Sequence, residues 1–122
     1  MSGRVLRAIR GAISVSEDSS DVIRQATGEL LRELLDRNGL VADDLVSIIF
    51  TATDDLTADF PAVAAREMGL SAVPLLCTRE IPVRGALPRC VRVLMHCYAD
   101  ADRDIRHVYL GEARQLRTDL PE

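Results

Sequence analysis

Aromatic residues are scarce in this sequence: among 122 residues there are no tryptophans, two phenylalanines and two tyrosines. The aromatic platforms that stack single-stranded nucleic acid are therefore missing. The formal net charge is -4, from 15 basic and 19 acidic residues, whereas binding to a phosphate backbone needs a net basic face. We expect no nucleic-acid partner. A small anionic ligand is compatible with this charge, because it requires only a few local arginines.

Cysteines are also few, and no long apolar run is present. Cys77, Cys90 and Cys97 lie in apolar stretches without CxxC spacing, which predicts reduced, buried thiols rather than disulfides or a zinc site. The first residues, MSGRVLRAIRG, lack the apolar core of a signal peptide, and no segment approaches the roughly 20 apolar residues of a membrane span. We expect one domain over residues 1–122 of a cytoplasmic protein that has no membrane contact.

The hydrophobic pattern predicts a mixed α/β (α+β) fold of order β-α-β-α-β-β, in which two helices cover one mixed sheet. A domain of this size leaves apolar sheet surface uncovered, which predicts self-association. The predicted elements are a strand within 4–15, a helix over 21–38, a strand over 45–53, a short helix from Pro61 to Gly69, strands over 72–78 and 90–98, and a short strand or turn over 107–110.

Arginines inside the predicted strands are the most informative residues for function. Arg92 lies between Val91 and Val93 in the sequence, and strand alternation puts these two apolar residues on the opposite face of the strand. A buried charge is costly unless it is paired, so Arg92 requires an internal carboxylate, which is the commoner arrangement, or an anionic ligand. Arg10 at the end of the first strand poses the same question, although a strand-end arginine is more often solvated. The residues alone leave both interpretations open.

Other polar residues are less specific. Glu80 ends the segment VPLLCTRE, where its carboxylate can accept a hydrogen bond from a hydroxyl group or form a salt bridge with an arginine. Tyr109 is compatible with a half-buried aromatic whose hydroxyl reaches water. His96 and His107 lack a hydroxyl or thiol partner at a recognisable spacing, which disfavours a nucleophile–base pair.

Acidic residues cluster between the second strand and the second helix. Asp54, Asp55 and Asp59 lie there without a recognisable metal-ligand spacing, and helix capping is an equally good explanation of Asp59. We therefore expect no metal site.

Several short sequence motifs together resemble those of the AroH class of chorismate mutases over nearly the whole chain. Four separated words occur in the family's order, and the chain length fits as well. The words are RAIRGAISV at 7–15, FTATDDLTADFPAVAAREMG at 50–69, VPLLCTREIPVRGALPRCVRVL at 73–94, and IRHVYL at 105–110 followed by LRTDL at 116–120. Thr118 stands where the family commonly has proline, and the loop 99–104 lacks an expected proline.

The resemblance implies a cofactor-free isomerase of aromatic amino-acid biosynthesis that converts chorismate to prephenate, built as a pseudo-α/β-barrel homotrimer with clefts at the subunit interfaces. It assigns catalysis to Arg92, which would donate to the ether oxygen, and to Glu80, which would hold the ring hydroxyl. Substrate-binding roles fall to Arg10, Tyr109 and Cys77 of one subunit, to Phe60 and Arg66 of the neighbour, and to Leu116 and Arg117 as a partial lid.

One detail fits the resemblance poorly. Strict alternation places Cys77 and Glu80 on opposite faces of their strand, so a bend near Thr78 is required if both are to reach one cleft. Two other functions share the arginine-lined interface: a trimeric carboxylate-binding regulatory protein, and an imine deaminase of the RidA type. A carboxylate sensor would need Arg92 but has no evident use for Glu80, and the sequence words favour the mutase over both.

Overall fold

The computed structural model describes residues 3–116. Five strands, two α-helices and two short 3-10 helices make up this part of the chain. In order they are β1 (Arg4–Ser14), α1 (Ser20–Arg37), a 3-10 helix (Ala42–Asp44), β2 (Leu45–Ala52), α2 (Ala62–Glu67), β3 (Leu75–Arg79), β4 (Cys90–Asp100), β5 (Val108–Leu110) and a second 3-10 helix (Gly111–Leu116). The predicted mixed α/β fold is confirmed.

The strands form one mixed sheet in the order β3-β2-β4-β1-β5. The long central strand β4 runs antiparallel to both of its neighbours, whereas β3 and β5 pair in parallel at the two edges. Each parallel pair is joined through a connection that contains a helix or another strand, as parallel pairing requires. Chain neighbours are therefore often not sheet neighbours.

One face of the sheet packs against the helices and carries the main core. Along β4 this face presents Val91, Val93 and Met95, which are almost fully buried, and Phe50 lies beside Val93 on β2. Gly11 occupies the same row, where a Cβ atom would stand 3.1 Å from methyl carbons of two leucines of α1. The glycine therefore lets the helix approach β1 closely. We call this side of the sheet the helix-covered face.

Helix α1 begins and ends within one residue of the predicted range 21–38. The Ser19 side chain accepts a hydrogen bond from the Val22 amide at 3.2 Å, which caps the first turn. Gly39 has a positive φ of 61°, the left-handed geometry that ends many helices. Asn38 does more than stop the helix: its buried amide donates to Leu34 O at 2.8 Å and exchanges hydrogen bonds with the Arg106 backbone. The end of α1 is thereby tied to the segment that leads into β5.

Differences from the predicted elements lie at their boundaries. Strand β3 begins at Leu75 rather than at Ala72, because Pro74 has no amide hydrogen to donate to a sheet ladder and contributes its carbonyl, which accepts from Ile48 at 3.0 Å. Residues 107–110, predicted as a strand or a turn, contain the short strand β5. Within residues 3–116, no helix combines the length and apolar character needed to cross a membrane.

Candidate functional site

The second face of the sheet is largely free of covering elements, and we call it the open face. Most of the alternating residues of β1, β2, β3 and β4 that point to this side are partly or fully exposed, and many of them are apolar, whereas Ala12 and Cys90 are buried. Leu6, Leu76 and Tyr98 each leave about half or more of their surface in water. The face is defined by Leu6, Ala8 and Arg10 of β1, Ser47, Ile49 and Thr51 of β2, Leu76 and Thr78 of β3, and Arg92, Leu94, His96 and Tyr98 of β4.

A charged pair interrupts the apolar part of the open face. Arg92 Nε lies 3.6 Å from Glu80 Oε2, and the two side chains are 43% and 21% exposed. Glu80 follows directly after β3, and its amide donates to Ala52 O at 3.0 Å, so the β2–β3 ladder fixes its backbone. Arg92 is therefore paired with an internal carboxylate, although 43% of its side chain remains exposed. Of the two alternatives that the sequence left open, the internal carboxylate is observed, and the anionic ligand stays a prediction.

A single row across the sheet connects this pair with the other edge. Arg92 stands opposite Ala12 of β1, and Ala12 stands opposite Tyr109 of β5. Residues in one row point to the same face, and strands are spaced by about 4.8 Å. Ala12 itself is fully buried. The row thus places a cation and a phenol on either side of a buried alanine.

Arg10 lies on the same face, two residues before Ala12 on β1, and it is exposed. Its backbone amide donates to His107 Nδ1 at 3.0 Å, and its register partner on β4 is Leu94. The structure brings Arg10, Arg92, Glu80 and Tyr109 to one face of the sheet. We call these four residues the charged set.

A small second apolar cluster bounds the charged set. Ala12, Cys90 and Ala113 are its buried members, and Leu116 and Tyr109 pack against it. Burial raises the pKa of the Cys90 thiol, while the neighbouring Arg92 guanidinium acts in the opposite direction. The thiol is therefore neutral at physiological pH. Leu116 and Tyr109 pack against the same cluster. The lid role of Leu116 stays a prediction, and Arg117 lies outside the described residues.

The remaining predicted site residues lie elsewhere. Phe60 and Cys77 line a cleft of about 390 Å³ beside β3, and the Phe60 ring is 66% exposed. Arg66 is an exposed residue in the last turn of α2, near enough to Asp59 for its charge to lower the pKa of that carboxyl. We call Phe60, Cys77 and Arg66 the cleft set. It is separate from the charged set within one chain.

Cys77 and Glu80 accordingly do not share a cleft within this chain. Strand β3 pairs with β2 residue for residue from Leu75 to Arg79, without a bulge. Cys77 falls in the row of Phe50 and packs against the main core, on the helix-covered face. The bend near Thr78 that a common cleft would require is absent, so regular alternation keeps the two side chains apart.

Carboxylates hold the loop that carries Phe60. Asp18 accepts hydrogen bonds from the Thr57 amide, the Thr57 hydroxyl and the Ala58 amide, at 2.9 to 3.0 Å. Asp59 accepts from the Ser20 hydroxyl at 2.6 Å and from the Phe60 amide at 2.8 Å. These hydrogen bonds, led by those from the Thr57 and Ser20 hydroxyls, lower the pKa of the two carboxyl groups. The start of α1 therefore anchors this loop.

Capping of α2 by Asp59, which the sequence suggested, is not observed. The residue before the helix is Pro61, which makes no side-chain capping bond, and Asp59 is engaged with Ser20 instead. Asp55 accepts from the Arg89 amide at 3.0 and 3.2 Å, which helps to start β4. Among residues 3–116 no group of three or more His, Cys, Asp or Glu side chains is arranged to hold a metal ion.

One residue beside the charged set was missed by sequence reasoning. Thr51 donates a hydrogen bond from its hydroxyl to Glu80 Oε2 and stands opposite Arg92 in the β2–β4 register. The only signal in the sequence is that Thr51 is one of two hydroxyl residues, with Ser47, in the otherwise apolar run LVSIIFTA. That signal is weak, because threonine is common in strands for its β-branched shape alone.

Comparison with known proteins agrees with this fold. The family model described as chorismate mutase type I matches residues 6–120. Two proteins named chorismate mutase AroH are similar to the chain over 118 residues, or 95% of it. The one from Thermus thermophilus is 52% identical and matched over 97% of its own length, and the one from Bacillus subtilis (strain 168) is 42% identical over 93%.

A solved structure gives the same result at the level of the fold. The chorismate mutase from Clostridium thermocellum superimposes with a TM-score of 0.85 and 49% sequence identity, covering 89% of this chain and 98% of the other. The fold and the strand arginines define a mixed α/β domain that carries arginines on the open face of its sheet. The chain belongs to the chorismate mutase type I family.

Proposed function

We propose that this protein converts chorismate to prephenate, with the charged set forming one wall of the catalytic cleft. The observation that carries the proposal is the pairing of Arg92 with Glu80 on the open face of a chain that belongs to this family. The chain is thereby an enzyme of the isomerase class. The family match favours neither of the two other functions that share an arginine-lined interface, carboxylate sensing and imine deamination.

The reaction explains why arginines rather than a nucleophile occupy the site. Chorismate rearranges in one concerted [3,3]-sigmatropic (Claisen) step, in which a carbon–oxygen bond breaks and a carbon–carbon bond forms within the same molecule. No proton has to be removed and no covalent intermediate forms. The enzyme has to hold the reactive conformer and stabilise the charge that develops in the transition state.

Each member of the charged set has a role in this scheme. Arg92 donates to the ether oxygen, where negative charge grows as the bond breaks, so its contribution is greater in the transition state than in the ground state. Glu80 accepts from the ring hydroxyl. Arg10 and Tyr109 bind the substrate carboxylates, for which paired arginine hydrogen bonds are well suited. Even at the low end of enzymatic acceleration, about a millionfold, the activation free energy falls by about 8 kcal/mol. Restraint of the substrate conformer and the contact of Arg92 with the ether oxygen together have to supply this lowering.

A complete site requires a second copy of the chain. The charged set lies on the open face, whereas Phe60 and Cys77 line a cleft beside β3 with Cys77 on the opposite face. The two sets meet when the open face of one subunit packs against the β3 edge of the next, an arrangement that also covers apolar residues of the open face such as Leu6 and Tyr98. We propose a homotrimer with three clefts, each formed by the charged set of one subunit and the cleft set of the next.

The remaining expectations belong to the same proposal. Residues 1–122 form a single catalytic domain, which is supported by the family match over residues 6–120. Location in the cytoplasm is supported by the three cysteines, Cys77, Cys90 and Cys97, all of which are free thiols.

The test is the loss of chorismate absorbance with purified protein in buffer that contains a chelator, with prephenate identified by its acid conversion to phenylpyruvate. We expect the wild-type protein to turn over chorismate and light scattering to show that it is a trimer. Arg92→Ala should lose the turnover. Turnover that persists in Arg92→Ala would contradict the role of this residue. A folded trimer that leaves chorismate unchanged would overturn the proposed function.

A further inference from the structure

The Glu80 carboxylate lies between two hydrogen-bond donors but bonds to only one of them. Its Oε2 atom accepts a hydrogen bond from the Thr51 hydroxyl, and the same oxygen is 3.6 Å from Arg92 Nε. That separation is within ion-pair range but exceeds the 2.7–3.2 Å of an N–H···O hydrogen bond. Arg92 Nε is buried and has no hydrogen-bond partner among residues 3–116. The threonine, rather than the arginine, therefore orients the carboxylate.

The sheet builds this arrangement into a rigid frame. Thr51 is the register partner of Arg92 on one side and of Thr78 on the other. Glu80 follows Thr78 by two residues, so its side chain leaves the backbone on the same face, and its amide is fixed by the hydrogen bond to Ala52 O. Because Thr51 is β-branched, its hydroxyl has few rotamers to choose from. The donor and the acceptor are thus held by neighbouring strands.

Loss of the hydroxyl would change which group the carboxylate contacts. A carboxylate accepts a charge-assisted bond from a guanidinium at about 2.7–2.9 Å, and this bond is stronger than one from a neutral hydroxyl. A shift of about 0.8 Å would bring Oε2 from its present position to hydrogen-bond distance from Arg92 Nε. The resulting closed pair would occupy the carboxylate oxygen and partly neutralise the guanidinium.

We propose that Thr51 is a positioning residue, whose hydroxyl keeps the Glu80 carboxylate from closing onto Arg92 so that both groups are available to substrate. The inference rests on the proposed function, in which Glu80 accepts from a substrate hydroxyl and Arg92 supplies positive charge. Thr51 itself does not contact the reacting atoms in this scheme.

The kinetic test compares Thr51→Val, Thr51→Ser and wild type. Valine keeps the shape of threonine without the hydroxyl, and we expect kcat/KM to fall about 10- to 100-fold, mainly through kcat. Serine keeps the hydroxyl and is expected to stay within about threefold of wild type. Ser47→Ala is the control: it removes a hydroxyl from the same face of β2, where Ser47 contacts His96 at 3.2 Å rather than Glu80. It should leave kcat/KM unchanged.

A double-mutant cycle separates positioning from a general effect on the fold. In a Glu80→Gln background the carboxylate is gone, so adding Thr51→Val should cost little further activity. An equal loss in both backgrounds, failure of Thr51→Ser to restore activity, or a fully active Thr51→Val would each overturn the inference.

A crystal structure of Thr51→Val without ligand provides a readout that does not depend on turnover. We expect the Arg92 Nε to Glu80 Oε2 distance to shorten from 3.6 Å to about 2.8 Å. An unchanged distance would refute the positioning role even in an active enzyme. Absence of chorismate turnover in the wild type, with a shortened distance in the variant, would instead overturn the proposed function and leave the positioning role supported.

Discussion

The two faces of the sheet are made by the same strands but differ in burial and in what covers them. On β4, the residues Val91, Val93 and Met95 point to the helix-covered face and are at most 3% exposed. Arg92 and Leu94, which alternate with them, point to the open face and remain partly exposed. The apolar side chains of the helix-covered face are buried by packing within the chain. The open face combines apolar residues with the charged set, and in the proposed function a second subunit covers the former and an anionic substrate binds the latter.

Matched truncations on one strand provide the sharpest test of this comparison. Phe50 is fully buried on the helix-covered face, and Phe50→Ala should destabilise the protein by about 3–5 kcal/mol. Ile49→Ala, the adjacent change on the open face, should act mainly through subunit association. Urea unfolding at several protein concentrations distinguishes them: the Phe50→Ala deficit should be present at every concentration, whereas the Ile49→Ala deficit should be largest at high concentration and shrink on dilution, as wild type and variant both dissociate. Identical concentration dependence in the two variants would contradict the division between the faces.

Arg92→Lys tests the chemistry of the open face. Lysine keeps the positive charge but loses the planar array of donors. We expect kcat to fall by about 100-fold or more, comparable with the loss of one oxyanion-type donor. Chorismate turnover measures the effect, and circular dichroism together with light scattering should report an unchanged fold and assembly. Near-normal kcat would show that charge alone suffices at this position.

Asp59→Asn probes the loop of the cleft set and should give the smallest effect. The pKa of Asp59 in the folded protein is lowered from 3.8, chiefly by the hydrogen bond from the Ser20 hydroxyl. A lowered pKa contributes stability that is present above about pH 3.8 and is lost as pH falls through the folded-state value. Wild type should therefore unfold at higher urea than Asp59→Asn at pH 7, and the difference should vanish at lower pH. A difference that persists when the carboxyl is protonated would exclude this origin.

Much of the helix-covered face could be predicted from the sequence, because burial imposes a regular apolar pattern. The apolar stripe of α1 and the apolar run of β2 both identified their elements correctly. The strand order could not be read in this way, since β2 pairs with β4 and β1 pairs with β5 through contacts distant in sequence. Periodicity reports which face a residue takes, not which strand lies beside it.

The open face was predictable only in part. Arg92 stood out as a charge inside an apolar strand, and Glu80 as a carboxylate able to pair with it, and the structure joins the two. The hydrogen bond from Thr51 to Glu80 was not predictable, because it depends on the register of β2 against both β3 and β4. Alternation correctly placed Cys77 and Glu80 on opposite faces, and a bend was expected only because both were assigned to one cleft.

The separation of the charged set from the cleft set has a consequence for inheritance. A subunit that carries Arg92→Ala retains an intact cleft set, and one that carries Phe60→Ala retains an intact charged set. When both variants are produced together and assemble at random, about one quarter of the clefts of a closed ring would receive two intact halves. Two alleles that are each inactive alone would then restore growth when present in the same cell.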